Sequence, residues 1–175
     1  MTTDSPQDPR RLLLLRHAKS EHPERISDHQ RPLSLVGRRQ SPRVGAAMTA
    51  AGLVPDLVLC SSALRTRQTW ELARTTLDAD PQVELLDEVY DAGVRSLLEL
   101  VQAVPADVRT LLVVGHEPTM SQTAATLASP ESDATTLARV RVGVPTASWS
   151  WLETDGAWSE LGPGSAALLR LTLAE

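Results

Sequence analysis

Three apolar runs set the terms for this chain: "LLLLRH" (12–17), "DLVLC" (56–60) and "TLLVVGH" (110–116). Each is short and continuous, without polar alternation, which is the pattern of a strand buried on both faces. Such strands belong at the centre of an α/β sheet, with helices as the covering layers. Each run also stops at groups that do not suit a core. The first ends at Arg16-His17, the second runs out through "CSSALR" to Arg65, and the third ends at Gly115-His116. In open α/β sheets, ligands bind outside the carboxyl ends of the strands. If the three strands are parallel, two arginines and two histidines converge on one spot.

The segments between the runs read accordingly. Residues 1–10 form a polar tail expected to be flexible, and 11–175 a single domain. "EHPERISDHQRP" (21–32) reads as a polar loop. Ser34 is placed to cap a helix over about 35–51, with Val44, Ala47, Met48 and Ala51 on one face. Pro42 inside it predicts a kink or a late start. "RTRQTWELARTTL" (65–77) and "VRSLLELVQAV" (94–104) read as helices, and "VELLDEVY" (83–90) holds a weaker strand. "PTMSQTAATLA" (118–128) reads as a helix with Pro118 at its first position, and "SPESDATT" (129–136) as a loop. "TASWSWLE" alternates, with Trp149 and Trp151 on one face, and "SAALLRLTL" is a further strand. The expected fold is a three-layer α/β/α sandwich. Its central sheet is mostly parallel, with antiparallel strands at the C-terminal end.

Composition narrows the function. The net charge of −5 does not favour nucleic acid or an anionic membrane, so an anion site has to be a local cluster. Phe is absent, which leaves Leu, Val and Ala to fill the core. Cys60 is the single cysteine, so neither an internal disulfide nor a cysteine metal cluster can form. No apolar run approaches the roughly 18 residues of a membrane span. A soluble, cytoplasmic protein is expected, with no cofactor and no metal. The oligomeric state is left open.

"LLRHAKS", "DLVLCSSALRTRQT" and "LLVVGHEP" together resemble the histidine phosphatase superfamily, which also contains the phosphoglycerate mutases. The short length, "RHA" where "RHG" is commoner, and "RPLSLVGRRQ" look most like the SixA-type phosphohistidine phosphatases. The resemblance implies a phosphoglycerate mutase-like fold and a nucleophile at His17. It also implies that Arg16, Arg65 and His116 clamp the phosphate. Lys19 and Ser20 follow the nucleophile and are further candidates for substrate binding. The substrate is a phosphorylated protein or a small phosphorylated molecule. Side-chain cations take the place of a metal.

Other assignments stay open. The general acid of mutase-like relatives falls on Glu88 in "LLDEVY", with Asp28 second; a site without one suits P–N rather than P–O cleavage. Thr66 stands where alanine is usual, and Lys19 where many relatives carry an acid. Only 50 residues lie between Arg65 and His116, little room for a cap, which suits a phosphate displayed on a protein surface. "CSSALR" is one residue short of a cysteine-phosphatase loop, so Cys60 reads as structural. His22 and His29 read as solvated, and Trp70 as core. A mutase and a non-catalytic phosphoprotein-binding module remain as rivals.

Overall fold

The three apolar runs become neighbouring strands of one sheet. The computed structural model describes residues 8–174. Among these, the strands are β1 (Arg10–Arg16), β2 (Leu57–Ser61), β3 (Gln82–Leu86), β4 (Thr110–Gly115), β5 (Trp149–Thr154) and β6 (Ala167–Thr172). Their spatial order is β3-β2-β4-β1-β5-β6. β3, β2, β4 and β1 run parallel, and β5 and β6 add antiparallel strands beyond β1. The carboxyl ends of β1, β2 and β4 therefore share one edge, as the opening pattern requires.

Helices α1 (Leu35–Ala50), α2 (Leu64–Ala73), α3 (Asp87–Tyr90), α4 (Val94–Gln102), α5 (Thr119–Leu127) and α6 (Ala134–Val142) complete the fold. Alternate residues of each central strand face opposite layers. Leu13, Leu15, Val58 and Cys60 pack with Val44 and Met48 of α1 and Trp70 of α2. Leu12, Leu14, Leu57 and Leu59 pack with Leu97 of α4, Leu127 of α5 and Val140 of α6. This is the expected three-layer sandwich. No helix among the described residues is long and apolar enough to cross a membrane.

Several local readings need correction. Residues 1–7 of the expected tail lie outside the described residues, but Arg10 already belongs to β1. Its guanidinium reaches Gly156 O and Ala106 O, both at 3.1 Å. Helix α1 starts at Leu35 and runs through Pro42, so no late start occurs. The Ser34 hydroxyl caps it by accepting from Gly37 N at 3.1 Å. Pro118 is the N-cap of α5 rather than its first residue. The strand in 83–90 ends at Leu86, and the next four residues are helical. The loop expected over 129–136 gives way to α6 at Ala134, with Asp133 capping Thr136 N at 2.8 Å.

Candidate active site

His17 follows β1 directly, and its backbone is pinned from two sides. Its N–H donates to Gly115 O at 3.0 Å, at the end of β4. Its carbonyl, with that of Arg16, accepts from Ala147 N at 3.0 and 3.1 Å. Ala147 holds this post at φ +58°, an uncommon conformation for a residue with a Cβ. The ring is fixed as well. Nδ1 lies 2.7 Å from Ala18 O, and a carbonyl only accepts, so Nδ1 carries the proton. Nε2 is left unprotonated. Burial pushes the His17 pKa down to about 3; the Ala18 carbonyl opposes this, and His116, Arg65 and Arg16 add to it. The imidazole is neutral at physiological pH and presents a lone pair on Nε2.

Arg16 and Arg65 bring positive charge to the same cleft, which measures about 510 Å³. Arg16 Nη1 donates to Val144 O at 2.9 Å, and its Nε is buried with no partner among the described residues. Arg65 is gripped at both ends of its fork. Nη1 donates to Asp28 O at 2.7 Å, and Nη2 to Asp28 Oδ2 at 3.0 Å. Nη2 also donates to His116 Nδ1 at 3.2 Å. A guanidinium cannot accept, so His116 carries its proton on Nε2, which donates to Ser61 Oγ at 2.8 Å. Burial, then Arg65, push the His116 pKa down to about 4, with Asp28 pulling the other way.

The mouth is built by the 21–32 loop. Arg31 lines the cleft, although its role escaped the sequence reading. It ties the loop together by donating to Ser20 Oγ at 2.7 Å, Glu21 O at 3.0 Å and Asp28 Oδ1 at 3.0 Å. Lys19 and Ser20 also line the cleft. Tyr90 is a second residue missed: its hydroxyl donates to Asp28 Oδ2 at 2.7 Å. Arg31 was visible as the one arginine of "DHQRPL", and Tyr90 as the only tyrosine in the chain.

Glu88 is not among the residues that line this cleft. It is exposed and lines a different groove, with Leu57, Leu86 and Leu100. Asp28 is near, but it is held well below the usual carboxylate range by the Tyr90 hydroxyl, then by Arg31 and Arg65. It is an anion at working pH and has no proton to give. Cys60 is fully buried, and burial pushes its thiol up to about 12, which removes it as a nucleophile. His29 is only half-buried, but it is not without partners: its ring stands edge-on against Tyr90 and its Nε2 lies 2.9 Å from Ser62 Oγ.

Comparison with known proteins gives the family. Residues 12–91 match the family model of the histidine phosphatase superfamily (branch 1). An uncharacterized protein of Mycobacterium tuberculosis is 41% identical over 156 residues, covering 89% of this chain and 96% of that protein. A solved structure assigned as phosphohistidine phosphatase SixA from Nakamurella multipartitia superposes with TM-score 0.85 at 34% identity, covering 97% of this chain and 99% of that one. The chain belongs to the histidine phosphatase superfamily. A second SixA-assigned structure, from Agrobacterium tumefaciens, gives TM-score 0.79 at 26% identity over 95% of this chain and 99% of that one. This histidine phosphatase is thus of the SixA type, with the phosphoglycerate mutase-like fold. Its chemistry is that of a phosphatase.

Proposed function

We propose that this phosphatase transfers the phosphoryl group of a phosphohistidine protein onto His17 and then to water. The observation that carries this reading is the His17 ring: Nδ1 is committed to Ala18 O at 2.7 Å, and Nε2 is unprotonated in a cleft lined by Arg16 and Arg65. In the first step the Nε2 lone pair forms a bond to phosphorus, and the bond to the leaving group breaks. That splits one difficult displacement into two. Arg16 and Arg65 stabilise charge on the equatorial oxygens. In the second step water attacks phosphorus, the Nε2–P bond breaks, and inorganic phosphate leaves with the ring restored.

The carboxylates favour P–N over P–O cleavage. An alkoxide leaving group needs a proton from the enzyme, whereas a phosphohistidine imidazole can leave already protonated. Glu88 stands outside the cleft and Asp28 is locked as an anion. Glu117 lines the cleft, but its two oxygens accept from Ser121 N at 2.7 Å and Val144 N at 3.1 Å. The chain between β3 and β4 goes into α3 and α4, and α4 buries Leu97, Leu98 and Val101 in the core. That stretch has no cap to enclose a small substrate, which fits a phosphate presented on a protein.

The test is metal-free release of phosphate from a phosphohistidine protein and from an aryl phosphate, with the alkali-quenched enzyme analysed for phosphohistidine. The expected result is a phosphorylated His17, faster release from the phosphohistidine protein, and no release by His17→Ala. Undiminished release by His17→Ala sinks the nucleophile, and a preference for the aryl ester sinks the substrate class.

A further inference from the structure

Asp28 holds Arg65, yet Asp28 sits on an exposed loop whose short helical turn, Asp28–Gln30, buries no residue. Something outside the loop has to fix that carboxylate. Tyr90 comes from the end of α3, far away in sequence, and its hydroxyl donates to Asp28 Oδ2 at 2.7 Å. The same oxygen accepts Arg65 Nη2 at 3.0 Å. The Tyr90 ring also stands edge-on to His116, with centroids 5.5 Å apart and planes at 79°, and to His29 at 4.9 Å and 89°. One side chain thus touches the carboxylate that orients the arginine, the ring of the second histidine, and the loop histidine.

The consequence follows from the Arg65 fork. Both ends are held by Asp28, through its O and Oδ2, with His116 Nδ1 as a further and longer contact of Nη2 at 3.2 Å, while Nε is buried with no partner among the described residues. The guanidinium plane is therefore fixed chiefly by Asp28. Without the Tyr90 hydroxyl, the side-chain partners left to Asp28 among the described residues are Arg31 and Arg65, both of which line the cleft. The Asp28 side chain is 54% exposed, and water competes for it. An arginine that must meet developing charge in a transition state loses effect when its fork is free to turn.

We propose that Tyr90 is a positioning residue: through its hydrogen bond to Asp28 it sets the orientation of the Arg65 guanidinium in the phosphate cleft. This rests on the phosphatase reading above. Tyr90 touches no reacting atom, and its effect reaches the substrate through Asp28 and Arg65.

The experiment is a double-mutant cycle on Tyr90→Phe and Asp28→Asn, read as kcat and KM on an aryl phosphate and on a phosphohistidine protein. It is joined by a spectrophotometric titration of the phenol. A hydrogen bond to a charged group is worth enough to cost about tenfold in kcat/KM when removed. Tyr90→Phe should lose about that factor, with its melting temperature close to wild type. Adding Tyr90→Phe to Asp28→Asn should cost little more, because both changes release the same arginine. The titration reads one group, since the chain has a single tyrosine. The phenol faces Asp28, Arg65, His116 and His29, with Asp91 beside it in the chain; its bond to Asp28 raises its pKa. Asp28→Asn should bring that ionisation down in pH. Additive losses in the cycle, or a Tyr90→Phe enzyme as active as wild type, overturn the proposal. So does a phenol that does not respond to Asp28→Asn, and that readout needs no turnover. A wild-type protein that releases no phosphate while its phenol does respond counts against the phosphatase reading alone.

Discussion

The rings of His17 and His116 stand 5.3 Å apart, tilted by 54°. At that distance two imidazolium ions repel, and Arg65 and Arg16 already supply positive charge beside them. The site therefore holds both rings neutral. A phosphate dianion reverses the balance, because an opposite charge favours the protonated form. His116 should then take up a proton and give up its contact with Arg65 Nη2, while Asp28 keeps its hold on the fork.

The first prediction concerns pH. With pKa values pushed down to about 3 and about 4, the His17 and His116 ring resonances should stay unshifted from about pH 8 to about pH 5. Saturating inorganic phosphate should bring His116 into that window. The sign for stability is set by proton uptake. Unfolding returns both histidines to about 6.5, so below that pH the unfolded chain binds more protons. Stability present above about pH 6.5 is lost as pH falls toward the folded values. A histidine NMR titration with melting curves at each pH checks this. Titration of His17 near pH 6.5 would mean a solvated ring and no preset nucleophile.

The second prediction concerns the Arg65 fork, which binds Asp28 and His116 at the same time. Arg65→Ala should lower kcat by about a hundredfold or more, the scale of removing one preorganised charge donor. Arg65→Lys should recover only part of this, since an ammonium cannot span the two Asp28 oxygens. Steady-state kinetics on the aryl phosphate read both. Full recovery by lysine would show that charge alone matters and geometry does not.

A third prediction separates two residues that the bare sequence makes tempting. Glu88→Gln should leave kcat/KM within about twofold of wild type, the range of a surface change remote from the chemistry. Cys60→Ala should also stay active, at a cost of about 1 kcal/mol in stability for the buried sulfur. In the folded protein a thiol reagent should label Cys60 only on unfolding. A large loss in Glu88→Gln would place an acid where the structure has none.

What could be read in advance, and what could not, follows from periodicity. The central strands are apolar on both faces, so "LLLLR", "DLVLC" and "TLLVVG" stand out in any window, and the parallel order then brings Arg16, His17, Arg65 and His116 together. Helix α6 was hidden because only Val140 of its nine residues is buried, which leaves no stripe to detect. Glu88 and Tyr90 show a subtler limit. They sit two residues apart in the four-residue helix α3, and positions i and i+2 do not share a helix face. Without the helix, either could be chosen as the side chain that meets the site; with Val89 buried, Tyr90 turns to Asp28 and Glu88 to another groove. The grip of Asp28 on Arg65 spans 37 residues and leaves no local trace.

The last prediction tests the seat of the Lys19–Ser20 segment that lines the cleft. Gly37, in the first turn of α1, lies so close to the backbone of Lys19 that an added Cβ would come within 2.1 Å of Lys19 O. That oxygen is the anchor of the helix start, accepting from Ser34 N at 2.9 Å and Ser34 Oγ at 3.1 Å. The obstacle is backbone, so no side-chain rotation relieves it. Gly37→Ala must push α1 away from the strand that delivers Lys19 and Ser20 to the cleft. Overpacking of this kind costs about 3 kcal/mol, and here it also breaks a helix cap. Gly93→Ala is the control: its Cβ meets nothing within 4 Å, and its φ of −92° suits alanine, so it should stay within about 1 kcal/mol of wild type. Denaturant unfolding of the two variants gives the stabilities, and KM for the aryl phosphate reports the displaced segment. A Gly37→Ala protein as stable as Gly93→Ala would show that α1 and the Lys19 segment are not locked together as the structure has them.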